Sequence, residues 1–185
     1  KLNNGFMRTT LSGNVLDNEF TRYQDNQAQE GVIFSNKSRE AEQKLRFEVT
    51  NFSDDWTLSY GLSLQRADYS NITEDVANNI NFSSNIDFFK YGLFVQASKS
   101  VLDNRLDFSI GFRNDGDTFT SKGTNQLLHF SPRASVSYHI TKEWTLNASI
   151  GRYFKIPPYT VLGFRNNTNQ LLNQDTDYIR SDHYV

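Results

Sequence analysis

Apolar and polar residues alternate with a period of two along most of the chain, most clearly over residues 129–158. Phe130, Pro132, Ala134, Val136, Tyr138 and Ile140 fall on one face; Ser131, Arg133, Ser135, Ser137 and His139 fall on the other. After Thr141-Lys142-Glu143 the pattern resumes, with Trp144, Leu146, Ala148 and Ile150 alternating with Thr145, Asn147, Ser149 and Gly151. A period of two marks a half-buried strand, and two such runs across three polar residues predict a β-hairpin. Its strands reach about a dozen residues, against a usual ~5–6.

The unit recurs twice upstream. In residues 87–113, Phe89, Tyr91, Leu93, Val95 and Ala97 oppose Lys90, Gly92, Gln96 and Ser98; beyond Asp103-Asn104, Leu106, Phe108, Ile110 and Phe112 alternate with Asp107, Ser109, Gly111 and Arg113. In residues 44–68, Leu45, Phe47 and Val49 lead into Ser53-Asp54-Asp55, and Trp56 opens a strand in which Leu58, Tyr60, Leu62 and Leu64 alternate with Ser59, Gly61, Ser63 and Gln65. Each outgoing strand carries Ser-x-Gly, at 59–61, 109–111 and 149–151, so the small residues share a face. A weaker alternation predicts a strand around 6–15. Residues 17–42 read as a polar connection holding a short strand at 31–34, and 70–85, 114–128 and 157–177 read as long polar loops. Short turns at 53–55, 102–104 and 141–143 thus share one end of the sheet and the long loops the other.

Composition narrows what such a sheet can be. The 185 residues carry a formal net charge of −2, which offers no basic footprint for nucleic acid. There is no cysteine, excluding disulfides and thiol chemistry. No apolar run reaches the ~18 residues of a membrane helix, but a barrel strand crosses with only ~10 alternating residues. A mean hydropathy of −0.63 beside 14% aromatic residues fits that pattern better than disorder. The chain begins at Lys1 without an initiator Met or signal peptide and stops at Tyr184-Val185 early in a further strand, so it is expected to be part of something longer.

The fold class expected is all-β: antiparallel long-strand hairpins, about eight strands, forming a segment of a transmembrane β-barrel. Such barrels have short turns at one end, long loops at the other, an apolar outer band and aromatic girdles. Trp56 and Trp144 each follow a short turn and suit one girdle; Tyr69, Phe88, Phe119 and Phe154 suit the other. The alternative is an autonomous soluble β-barrel or β-sandwich that binds a ligand or carbohydrate, with the apolar face turned to a shared interior.

Three consecutive segments carry a resemblance. Ser131-Pro132-Arg133-Ala134-Ser135-Val136-Ser137-Tyr138, then Lys142-Glu143-Trp144-Thr145-Leu146, then Gly151-Arg152-Tyr153-Phe154-Lys155-Ile156-Pro157-Pro158-Tyr159, resemble the barrel of TonB-dependent outer-membrane receptors, in their Bacteroidetes-type form. The likeness is strong over 86–165, looser over 43–70 and weak before residue 40. It implies a parent barrel of about 22 strands with an N-terminal plug. It further implies a bacterial outer-membrane location, contact with outer-membrane lipid, and coupling to the TonB complex for import of a nutrient such as an iron chelate, cobalamin, an oligosaccharide or a peptide. Neither plug nor TonB box is recognisable here, so this chain would contribute wall and loops.

Arg113, Arg133, Arg152 and Lys155 are the candidates to line the lumen and meet an anionic or sugar ligand, and Tyr153, on the face of Lys155, can stack on a sugar. The rival role of each arginine is to pair with a neighbouring carboxylate or the plug. Asp115-Gly116-Asp117 resembles a fragment of a calcium loop, but Phe119 stands where a further ligand is needed, which favours a glycine-mediated turn and no metal. His129, His139 and His183 form no zinc-binding pair, and neither a nucleophile elbow nor a phosphate loop is present. The sequence therefore promotes no enzyme and no cofactor.

Overall fold

The computed structural model describes residues 4–166 and 168–185. Its strands are β1 (Gly5–Asp25), β2 (Glu30–Ser53), β3 (Trp56–Asp75), β4 (Ile80–Val101), β5 (Leu106–Asp117), β6 (Phe130–His139), β7 (Thr145–Lys155) and β8 (Ile179–Tyr184). They pair antiparallel in sequence order into one sheet, with β1 and β8 as its edges. One helical turn, α1 (Tyr159–Leu162), lies in the β7–β8 connection.

The short turns form where the alternation stops. Asp54, Asp103 and Asn104 take left-handed φ values of 50°, 55° and 62°, which Asp and Asn tolerate because their side chains can hydrogen-bond locally. At the third turn Thr141 Oγ1 accepts the N–H groups of Glu143 and Trp144, each at 3.1 Å.

The opposite end departs from the sequence reading. Residues 17–42 are not a polar connection: β1 runs to Asp25, and β2 starts at Glu30 and absorbs the short strand expected at 31–34. Likewise β3 continues to Asp75 and β4 restarts at Ile80, so only a tight turn remains of the loop expected over 70–85. The reason is that both faces of these extensions are polar, which erases the period-two signal without weakening the backbone ladder. Cross-strand charge pairs stand in for apolar contacts there, with Lys37 Nζ 2.7 Å from Glu19 Oε1 and Arg39 Nη1 3.6 Å from Asp17 Oδ1. Two true long loops remain, 118–129 and 156–178.

Burial is inverted relative to a water-soluble sheet. On β3, Leu58, Tyr60, Leu62 and Leu64 are 39–43% exposed, while the small and polar residues between them are half-buried. The register continues this outward face through Phe47 and Leu62, Leu62 and Leu93, Ile110 and Ala134, and Ala134 and Ile150. Outward charges on β3 and β4 bound this stretch, Lys99 over the Trp56 ring at one end and the Arg66–Asp87 pair at the other, where Arg66 Nε donates to Asp87 Oδ2 at 3.1 Å. From Trp56 to Arg66, roughly ten residues at ~3.3 Å on a strand tilted ~40° span about 25 Å, the height of a barrel's apolar band.

The buried core lies on the inner face beyond that band. Ala67 and Tyr69 of β3 and Ile86 and Phe88 of β4 cluster with Tyr159 and Leu162 from the β7–β8 loop, and Phe119 packs against them. Phe88 meets Tyr159 edge-on with ring centroids 5.6 Å apart, and Phe119 at 5.2 Å. Tyr69, Phe88 and Phe119 are therefore loop-anchoring residues and not an outer girdle: parity turns Tyr69 and Phe88 inward, and the loops supply apolar partners that local sequence does not reveal. Gly163 lets the loop approach closely, since a Cβ there would lie 2.9 Å from the Tyr69 ring. Trp56 and Trp144 stay exposed at the short-turn end, at 42% and 72%.

Candidate functional site

Strand parity assembles the inner face. Glu42 and Lys44 of β2, Ser63 and Gln65 of β3, Lys90 of β4, Arg113 and Asp115 of β5, and Lys155 of β7 all fall on the side opposite the exposed leucines. Beneath the two long loops they surround a recess of about 190 Å³, to which Lys44, Lys90, Arg113, Asp115, Lys155 and Tyr178 contribute walls.

Its charges are partly committed. Lys90 Nζ donates to Glu42 Oε1 at 2.8 Å and lies 5.0 Å from the centroid of the Tyr159 ring, whose hydroxyl bonds both of them. Arg113 grips Asp115 through two bonds, Nε to Oδ2 at 2.6 Å and Nη2 to Oδ1 at 2.7 Å. Gly92 makes room for that pair, because a Cβ there would meet Asp115 Oδ1 at 2.4 Å. Four cationic side chains, Lys44, Lys90, Arg113 and Lys155, thus face two carboxylates, Glu42 and Asp115. Among the described residues Lys44 and Lys155 make no ion pair, and an anion entering from the loop side meets them in a partly desolvated setting where charge interactions are stronger than in water.

The loops roof the recess. Asp117, fully buried, accepts the N–H groups of Phe119 and Thr120 at 2.7 and 2.6 Å, the Thr120 hydroxyl at 2.8 Å and the Tyr178 hydroxyl at 2.9 Å. Tyr178 stacks on His129 with centroids 3.8 Å apart. Lys122 Nζ, 2.7 Å from Asp177 Oδ2, ties the loops together again outside. Burial, reinforced by the Asp117 carboxylate, raises the Tyr178 phenol well above its ordinary value, and burial with Glu42 does the same for Tyr159.

The sequence candidates fall into three groups. Arg113 and Lys155 line the recess. Arg133 and Tyr153 share the inner face but engage each other, the guanidinium lying 5.1 Å from the ring centroid. Arg152 belongs to the outward face, one step beyond Ile150, where Nε donates to Asp182 Oδ1 at 2.9 Å; its odd-even position relative to Gly151 already carries that information. Asp115-Gly116-Asp117 is the end of β5 and not a turn, and both carboxylates are engaged as described. Among the described residues no three His, Asp or Glu side chains come together as a metal site. Lys44 and Lys90 escaped notice, although each sits on the polar side of the alternation; Glu42, Tyr159 and Tyr178 leave no local signal, because their roles depend on partners far away in sequence.

A family model described as "TonB dependent receptor-like, beta-barrel" matches residues 2–182. No curated protein sequence matches the chain. Among solved structures it is similar to "Copper transporter OprC", with a TM-score of 0.60 and 17% identity over 84% of this chain and 29% of that one. At that identity the likeness is one of fold, and the chain spans less than a third of that transporter's length.

Proposed function

Since the chain belongs to the TonB-dependent receptor-like β-barrel family, we propose that it forms part of the wall and outer loops of an outer-membrane receptor that binds a nutrient ligand and imports it with energy delivered through TonB. The observation that carries the reading is the inverted sheet: an apolar face left open to its surroundings and a polar face roofed by loops. A soluble binding module would need the reverse, its leucines turned to a common interior.

The ligand class follows from the recess. Two lysines without an ion-pair partner, beside an engaged Arg–Asp pair, favour a ligand with carboxylate or phosphate groups over a neutral sugar. An acidic chelate or an acidic peptide fits this description. The copper in the structural relative's name does not transfer, because the lining of this recess holds four cationic side chains, Lys44, Lys90, Arg113 and Lys155, and no His or Met.

The test uses the receptor that carries this segment. It is expected in the outer-membrane fraction, heat-modifiable on gels and retained by the TonB C-terminal domain; a soluble protein that TonB does not retain overturns the transporter reading. Citrate, as an anionic probe, is expected to bind more tightly than maltose, and Lys44→Glu with Lys155→Glu is expected to abolish that preference. Equal binding of both probes by the unaltered receptor removes the anionic assignment alone.

A further inference from the structure

We propose that the outward wall carries a seat for one lipid with an anionic phosphate headgroup, its acyl chain lying in a groove across β5–β8 and its phosphate held by Arg152 and Arg180. The inference depends on the membrane-barrel reading and concerns the face opposite the recess.

The groove encloses about 440 Å³. Phe112 of β5 forms one wall and Ile150 and Tyr184 of β7 and β8 the other, while Pro132 and Ala134 of β6 make the floor. The register explains the shape: Phe112 pairs with Pro132, Ala134 with Ile150, and Ile150 with Tyr184, so short side chains run between larger ones. A channel this narrow and apolar suits an alkyl chain.

Arg152 and Asp182 line the groove at its loop-side end. Arg152 Nε donates to Asp182 Oδ1 at 2.9 Å, and Arg180 Nε donates to Asp182 Oδ2 at 3.0 Å. Two guanidinium groups thus converge on one carboxylate, leaving a positive charge in excess on side chains that are 41% and 51% exposed. At the outward pairs Arg66–Asp87, Arg39–Asp17 and Lys37–Glu19, by contrast, no carboxylate is shared between two cations. The imbalance begins two residues beyond Ile150 on the same face, toward the end where a barrel wall passes from acyl chains to headgroups. Guanidinium forks match phosphate oxygens in pairs. A zwitterionic headgroup brings its own ammonium and gains less from them, so the seat selects for net negative charge.

Lipid exchange on the purified receptor tests this. After delipidation in detergent it is offered phosphatidylglycerol or phosphatidylcholine, and the lipid retained is quantified by mass spectrometry. Phosphatidylglycerol is expected to be retained in preference. Arg152→Gln with Arg180→Gln should lower its retention roughly tenfold and lower that of phosphatidylcholine far less, whereas Ala134→Trp, which fills the groove, should lower both alike. Equal retention of the two lipids by the unaltered receptor, or a preference that survives the arginine substitutions, overturns the proposal. Heat-modifiability is read on every sample: a heat-modifiable receptor without lipid preference sinks the lipid seat alone, and an unaltered receptor that is not heat-modifiable sinks the barrel reading itself.

Discussion

Tyr159 and Tyr178 show how one hydroxyl can hold a loop to a wall. Each phenol is buried and donates to a carboxylate rooted in a strand, Tyr159 to Glu42 and Tyr178 to Asp117. Ionising either would place two negative charges side by side away from water. Both folded values lie above the ordinary 10.0, so their contribution to stability is complete below that pH and is lost as the pH climbs through the folded values. Absorbance at 295 nm should therefore show three of the nine tyrosines, Tyr159, Tyr178 and the buried Tyr69, ionising late, in step with loop release. Tyr159→Phe with Tyr178→Phe should cut the late phase to the single ionisation of Tyr69; a late phase of undiminished amplitude in the double variant would assign it to other tyrosines.

Strands amplify such single-residue facts through parity. Leu93 points outward from β4 and is 53% exposed, whereas Gln96, three residues on, faces the lumen between Ser59 and Gly111. An arginine at Leu93 must lodge in hydrocarbon, at a cost of about 2–4 kcal/mol near the bilayer midplane. An arginine at Gln96 meets water and small neighbours, so Gln96→Arg should be close to neutral. Urea unfolding of the receptor in lipid vesicles reads the difference; equal destabilisation by both would show that the two faces do not meet different media. The same parity accounts for the inner-face glycines. Gly151 clears the path of the Tyr153 ring, which a Cβ would approach to 3.0 Å, and Tyr153 can then lie under Arg133.

At the scale of the whole molecule, the sheet is a two-sided boundary between lipid outside and a roofed polar face within. Because the chain has no cysteine, single cysteines report cleanly on that boundary. An aqueous maleimide should label Cys at Ser149 whether or not lipid is present, and should label Cys at Ile150 in detergent-free aqueous form but not in vesicles. Protection at Ile150 that does not depend on lipid would mean that protein covers this face.

Local pattern was enough for the hairpins between residues 43 and 155, their short turns and the two-faced alternation of their strands, because alternation, Asp- and Asn-bearing turns and tryptophans at turn exits are features read over a few residues. Arg152, read from the sequence as a lumen candidate together with Arg113, Arg133 and Lys155, has the parity of Ile150 and lies on the outer wall. That residues 17–42 and 70–85 continue largely as strands emerges from the folded sheet alone, since polar side chains on both faces carry no period and the partner strand supplies the ladder. The tertiary structure also decided the recess. Lys90 meets Glu42 across 48 residues and Tyr178 reaches Asp117 across 61, and contacts over such separations are set by strand order and loop path, which no local pattern encodes.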